Sequence, residues 1–163
     1  MEFTNNLAEA EEFDKLKTKV LKFVLYKKRT ENEVREKFEQ EIDEDKLEDI
    51  IEILKENKYI DDKDYIERSI KEYKALKSLS IKEINFKLQQ KKVNKNLLDE
   101  YIYENREELL EFEIQSAKKI LAKKVKSEDD LEDAKRYLYN KGYMSESVSI
   151  AIDELGEDDG DSK

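Results

Sequence analysis

Acidic and basic side chains are the groups in this sequence whose spacing could support chemistry. Histidine and cysteine are both absent, which removes imidazole bases, thiol nucleophiles, disulfides and the usual zinc ligands. Among the carboxylates, the adjacent pair Asp61 and Asp62 could contact a partner or a metal ion. The pair lacks the central glycine and the twelfth-position glutamate of an EF-hand loop. Such a pair is more typical of a helix N-terminus, so we predict no catalytic residue, no cofactor and no metal site.

Basic residues cluster at three places, where they could contact acidic groups or phosphates of a partner. The alternative for each cluster is a solvated helix surface, or cations that favour a helix C-terminus. Like charges at close spacing destabilise a helix mildly, so the densest cluster, the third, most favours an anionic partner. The candidate partner-binding residues are Lys27, Lys28 and Arg29, then Arg68 and Lys71, then Lys118, Lys119, Lys123 and Lys124.

The composition indicates helices joined by short polar turns. The chain of 163 residues has no proline and three glycines, whereas a β-rich fold needs both residues in its turns. Charged residues make up 45% of the sequence, which suits thin helical layers with much exposed surface. No apolar run is long enough for a membrane span, and no signal-peptide pattern opens the chain. We therefore expect a cytoplasmic protein that does not contact membranes, and a monomer.

The net charge of −10 is concentrated at the two ends of the chain. Residues 1–14 hold five acids and no base, and residues 153–163 hold six acids and one lysine. Between them, 31 acids balance 31 bases. Because charges act locally, over about 10 Å at physiological ionic strength, the low isoelectric point is compatible with basic patches on the body.

Capping patterns recur at a constant spacing. Thr30 with Glu33, and Ser80 with Glu83, match the capping box, in which a hydroxyl and a carboxylate exchange hydrogen bonds across the first helical turn. A further step of 50 residues reaches Asp130, which is predicted to cap the helix that follows it in the same way. Generic amphipathic helices have no reason to share such a step.

Apolar positions follow the same step and predict the domain organisation. Val34 corresponds to Ile84 and Ala134, and after an insertion of one residue the correspondence continues into the next helix. We predict an all-α, elongated and curved tandem array of three three-helix repeats. Its predicted segments are an acidic leader at 1–14, repeats at 15–59, 60–105 and 106–155, and an acidic tail at 156–163.

Gly142 is predicted to end the second helix of the third repeat in the left-handed conformation that favours glycine. The corresponding positions in the earlier repeats are Lys92 and Glu41. Those helices must end by another device or accept strain.

Two segments resemble the RecX family, the regulators of the RecA recombinase. The sequence YIDDKDY at 59–65, followed by the pattern at 84–93, is similar to the central motif of that family. Residues 23–34, FVLYKKRTENEV, look like its first-repeat signature. The resemblance covers about residues 15–152. Family members commonly have arginine in place of Lys27, and glycine in place of Glu41, Lys58, Ser78, Ser80 and Lys92.

The resemblance implies tandem three-helix repeats and a binding protein with no reaction of its own. It implies a partner, the RecA filament on single-stranded DNA, whose ATP turnover and strand exchange such a protein restrains, in the setting of recombination, DNA repair and the SOS response. The resemblance leaves undecided whether the protein also makes a weak direct contact with DNA. The alternative is a helix-turn-helix-like transcription regulator reading bases with Gln89 and Gln90, for which a neutral body is unfavourable.

Overall fold

The protein is all-α in the part that the structure describes. The computed structural model describes residues 2–161, and the side chains of residues 4–157. Within that span there is no β-strand, and no helix is long and apolar enough to cross a bilayer. The helices are α1 (Glu2–Tyr26), α2 (Glu31–Phe38), α3 (Glu44–Glu56), α4 (Asp62–Leu76), α5 (Ile81–Gln90), α6 (Lys95–Glu104), α7 (Arg106–Lys124), α8 (Leu131–Asn140) and α9 (Ser145–Asp161), with a 3-10 turn at Glu128–Asp130 before α8.

The helix starts confirm the predicted repeat step. Helices α2, α5 and α8 begin at residues 31, 81 and 131, and α3, α6 and α9 begin at residues 44, 95 and 145. Relative to the first repeat, the extra residue therefore falls between α5 and α6 of the second repeat, where the sequence predicts an insertion. Helix α1 already begins at Glu2, within the predicted leader, and α9 continues to Asp161. Met1 and the last two residues of the predicted tail lie outside the described residues.

The described chain divides into two compact units. The first consists of the chain up to Tyr65 together with the segment Lys91–Leu97. Its core is the apolar face of α1, α2 and α3, whose side chains recur at three- and four-residue steps. In that core the rings of Phe23 and Phe38 meet edge to face, with centroids 5.5 Å apart. The buried residues of this core are Val20, Val24, Val34, Phe38, Ile42, Leu47, Ile50, Ile51, Leu54 and Ile60.

The second unit takes Ile66–Gln90 and the chain from Leu98 onward. One of its apolar clusters lies among α7, α8 and α9, and includes the predicted core position Ala134. The small side chains Ala117 and Ala151 are fully buried there, which allows close helix packing. The buried residues of the cluster are Ile114, Ala117, Leu121, Ala134, Leu138, Tyr143, Val148 and Ala151.

Two lysines take the backbone conformation that usually requires glycine. The φ angle is +64° at Lys58 and +62° at Lys92, and +89° at Gly142, as predicted for the glycine. Lys92 and Gly142 both follow the second helix of a repeat. The left-handed conformation costs a residue with a Cβ atom roughly 1 kcal/mol, so Lys92 accepts the strain that Gly142 avoids.

Candidate functional site

Matching capping boxes start α2 and α5. Thr30 Oγ1 accepts from the amide of Glu33 at 3.2 Å, and the Glu33 carboxylate accepts from the amide of Thr30 at 3.0 Å. The pair Ser80 and Glu83 makes the same two hydrogen bonds at 3.0 and 3.1 Å. Each box satisfies two amides at the start of its helix that have no partner within the helix.

The predicted cap at Asp130 is wrong. Asp130 directly precedes α8 but makes no side-chain hydrogen bond to its first turn. Its carboxylate accepts instead from the amides of Lys126 and Ser127, at 2.8 and 3.1 Å. The reason is the 3-10 turn at Glu128–Asp130, which leaves Asp130 with helical backbone angles, whereas a capping residue needs extended ones.

A buried carboxylate connects two consecutive repeats within the first unit. Asp62 accepts from the amide of Glu31 at 2.9 Å with one oxygen, and from the amide of Asn94 at 2.8 Å with the other. Thr30 Oγ1 also donates to the carbonyl of Lys91 at 2.8 Å. We call this set of contacts the first junction. It joins the start of α2 to the segment that precedes α6.

The second unit contains a matching set of contacts, which we call the second junction. Glu113 accepts from the amide of Ile81 at 3.0 Å and from the amide of Met144 at 3.4 Å. Ser80 Oγ donates to the carbonyl of Lys141 at 2.7 Å. These amides and this carbonyl stand 50 residues after their counterparts in the first junction. The recurrence shows that the repeats share a mode of contact as well as a helix pattern.

Sequence reasoning did not identify Glu113 as a structural residue. It corresponds to Asp62 by a step of 51, and it lies in the middle of α7, between the apolar neighbours Phe112 and Ile114. An acid inside an apolar stripe was the available signal. Glu113 is 0% exposed, and it also accepts from the hydroxyl of Ser147. A carboxylate at such a place needs several donors, and the second junction supplies them.

The two residues of the acidic pair have different roles: Asp61 caps a helix, and Asp62 belongs to the first junction. Asp61 accepts from the amide of Asp64 at 3.1 Å, and so caps α4. Asp62 is 8% exposed, and burial raises the pKa of its carboxyl, against the opposing effect of the amides of Glu31 and Asn94. No group of three or more potential metal ligands occurs among the described residues.

The first basic cluster is partly engaged within the first unit. Lys27 is exposed, while Lys28 pairs with the carboxylate of Asp64 at 2.7 Å. The guanidinium of Arg29 lies 4.1 Å above the ring of Phe23, and its Nε is buried without a hydrogen-bond partner. Stacking on an aromatic ring restricts the Arg29 side chain. Lys27 and Lys28 are therefore the exposed members of this cluster, and Lys28 is engaged with Asp64.

The second cluster and the two glutamines lie on α4 and α5. Arg68 and Lys71 are exposed, three residues apart on α4, and so share one side of that helix. Gln89 donates to the side-chain oxygen of Asn85 at 3.0 Å, one turn away on α5. Gln90 is exposed at the end of the same helix.

The third cluster lies on α7 and has two kinds of member. Lys118 pairs with Glu154 at 3.4 Å, and the ammonium of Lys124 lies 4.0 Å from the centre of the Tyr137 ring. Lys119 and Lys123 are exposed and stand four residues apart. The last two therefore form the part of this cluster best placed to meet an anionic partner.

Comparison with known proteins gives consistent relatives. No family model matches the chain. A protein named regulatory protein RecX from Clostridium beijerinckii is 32% identical over 152 residues, which are 90% of this chain and 70% of the relative. Regulatory protein RecX from Clostridium tetani is 31% identical, and the alignment covers 94% of this chain and 73% of the relative.

Solved structures agree in fold. The crystal structure of RecX from Lactobacillus salivarius superposes with a TM-score of 0.80 at 22% identity, over 90% of this chain and 98% of the other. A second crystal structure, of a regulatory protein RecX, gives a TM-score of 0.76 at 21% identity, over 92% and 77% of the two chains. The sequence identity and coverage of the Clostridium relatives show that this chain belongs to the RecX family of regulatory proteins.

Proposed function

We propose that this protein binds the RecA filament on single-stranded DNA and restrains its ATPase and strand-exchange activities. The observation that carries the proposal is the 32% identity to a regulatory protein RecX over 90% of the chain. The protein acts by binding, as a cytoplasmic monomer, and catalyses no reaction of its own. The proposal takes RecA as the partner from the family resemblance seen in the motif at residues 59–65.

Two features of the chain support a binding role. The buried carboxylates Asp62 and Glu113 hold consecutive helices at defined positions, so exposed residues on those helices keep a fixed spacing. The exposed lysines Lys119 and Lys123 present a pair of positive charges four residues apart, which suits acidic side chains or phosphates. Lys27 adds a separate exposed cation in the first unit.

The test measures the DNA-dependent ATPase of purified RecA at increasing concentrations of this protein. We expect inhibition when the protein is present in substoichiometric amounts relative to RecA. The double variant Lys119→Glu and Lys123→Glu is expected to need about tenfold more protein, which corresponds to a loss of about 1.4 kcal/mol in binding. The matched control reverses two exposed lysines of α1, Lys15 and Lys22, and should inhibit like the unmodified protein.

An absence of any effect on RecA across salt concentrations would overturn the proposal. Salt-dependent binding to naked duplex DNA in the absence of RecA would instead support the helix-turn-helix interpretation. Equal loss in both charge-reversal variants would assign the inhibition to overall charge rather than to the α7 lysines.

A further inference from the structure

A basic groove with an exposed aromatic ring lies in the second unit, beside the second junction. It has a volume of about 400 Å³ and runs between α5 and the end of α8. Phe86 lies in it and is 61% exposed. Three lysines line the same groove, and its acid Glu83 already accepts a hydrogen bond from the amide of Ser80. The lysines are Lys82, Lys87 and Lys141.

The corresponding surface at the first junction is covered by the chain itself. Asn32 donates from its side-chain amide to the carbonyl of Lys92 at 3.0 Å. The ammonium of Lys92 pairs with the carboxylate of Glu36. A carboxylate and an amide of α2 thus lie against Lys92 within the first unit.

Three differences in sequence explain why the second groove is open. At a step of 50, Asn32 becomes Lys82, Glu36 becomes Phe86, and Lys92 becomes Gly142. A Cβ atom on Gly142 would lie 2.8 Å from the Cβ of Lys82, so no side chain can extend over the groove from there without displacing Lys82. The neighbouring lysines are the same in both places, since Lys37 corresponds to Lys87 and Lys91 to Lys141.

We propose that the open groove at the second junction binds an acidic peptide segment of another protein, with carboxylates on its lysines and an apolar side chain against Phe86. Lys82, Lys87 and Lys141 outnumber the single acid Glu83, which is already engaged, so the groove carries a net positive charge that an acidic segment complements. Burying Phe86 removes an exposed aromatic ring from water, which favours association. The lysines then provide charge complementarity.

A single-stranded nucleic acid is the other class of ligand that combines negative charge with a flat apolar surface. We favour a peptide because Phe86 is the one aromatic residue among those that line the groove, whereas proteins that bind single strands stack successive bases on several aromatic side chains. Nucleic-acid binding is therefore an outcome of the test that would contradict the proposal.

The first experiment titrates the 163-residue chain into a short fluorescein-labelled peptide that places one phenylalanine among aspartates and glutamates. Fluorescence anisotropy should report binding, and the variant Phe86→Ser should bind at least about tenfold more weakly. The matched control is Tyr103→Ser, since Tyr103 is 68% exposed in the same unit. A peptide with serine in place of its phenylalanine should bind the unmodified protein as weakly as the original peptide binds Phe86→Ser.

The second experiment introduces an equivalent groove at the first junction, where the unmodified protein has none. The triple variant Asn32→Lys, Glu36→Phe and Lys92→Gly copies the second groove onto the first junction. Lys92→Gly also relieves the positive φ at that position. We expect the stoichiometry of peptide binding to rise from one to two per chain.

The proposal is overturned if the peptide binds Phe86→Ser and Tyr103→Ser equally well, if the triple variant gains no second site, or if oligothymidylate binds the groove and the peptide does not. These titrations contain no RecA, so they can fail while the ATPase result stands, and the reverse is also possible.

Discussion

Asp62 and Glu113 occupy equivalent places in two successive junctions, each accepting from the first amide of one helix and from the amide just before another. The two carboxylates reach this role from different positions, since Asp62 begins α4 and Glu113 lies in the middle of α7. The two junctions therefore share the location of the negative charge, although the acidic residue stands at a different place in its helix. Each carboxylate satisfies helix N-terminal amides that would otherwise be buried without partners.

Truncating Glu113 should destabilise the second unit strongly. Glu113→Ala leaves two buried amides and the hydroxyl of Ser147 without their acceptor, which should lower the free energy of unfolding by about 3 kcal/mol. Urea denaturation measures the loss, and hydrogen exchange should show faster exchange at the amide of Ile81. Glu113→Gln keeps the volume and one acceptor and should lose less. The exposed acid Glu111 provides the control, because Glu111→Ala should change stability by less than about 0.5 kcal/mol.

Removing the hydroxyl of Thr30 should cost more than an ordinary helix cap. Thr30→Ala loses the capping bond to Glu33 and also the donor to the carbonyl of Lys91, for a total of about 2 kcal/mol. Thr30→Ser retains the hydroxyl and should stay within about 0.5 kcal/mol of the original protein. Thermal and urea denaturation of the two variants make the comparison. Equal stabilities would show that the hydroxyl contributes nothing to the first junction.

Two of the positions with positive φ, Lys58 and Gly142, should respond to substitution in opposite directions. Gly142→Ala introduces a Cβ atom into a left-handed residue and against Lys82, and should destabilise the protein by more than about 1 kcal/mol. Lys58→Gly relieves the same conformation and should stabilise it by about 0.5 kcal/mol, after the entropic cost of glycine in the unfolded chain. Denaturation midpoints check both signs. Destabilisation by Lys58→Gly would mean that the lysine side chain contributes more than its backbone strain costs.

Two acids of the first unit should give opposite pH dependences. Burial raises the pKa of the Glu31 carboxyl, but hydrogen bonds and charges from Lys55 and Arg35 outweigh that effect and hold the pKa below its ordinary value of 4.5. Its contribution to stability is present above that value and is lost as the pH falls through the folded-state pKa. The pKa of Asp62 is raised above 3.8, so its contribution is present at low pH and is lost as the pH rises through its folded-state value.

Denaturation midpoints across the acidic range test the sign for Glu31, and NMR tests the sign for Asp62. Glu31→Gln should flatten the loss of stability on acidification, because the group that must be protonated is gone. Carbon-13 NMR of the Asp62 carboxyl should show titration above the ordinary aspartate value. A titration of Asp62 below that value would mean that the two amides outweigh burial.

The sequence by itself determined the helices, their repeat and much of their capping. Histidine, cysteine and proline are absent, apolar residues recur at helical spacing, and capping residues recur every 50 positions, so each local pattern points to a short amphipathic helix at a known place. Gly142 was predictable for the same reason, because its conformation depends on a local helix end. The family also followed from local motifs.

Tertiary structure alone decided the junctions and the open groove. Glu113 looks like a misplaced acid in α7 until the amides of Ile81 and Met144, far away in sequence, are brought to its oxygens. Asp130 failed as a cap because a 3-10 turn changed its backbone angles. Phe86 is apolar, yet it faces solvent because Gly142 has no side chain to cover it, whereas its counterpart Glu36 pairs with the side chain of Lys92. Such outcomes depend on contacts between residues distant in sequence, and helical periodicity carries no information about those contacts.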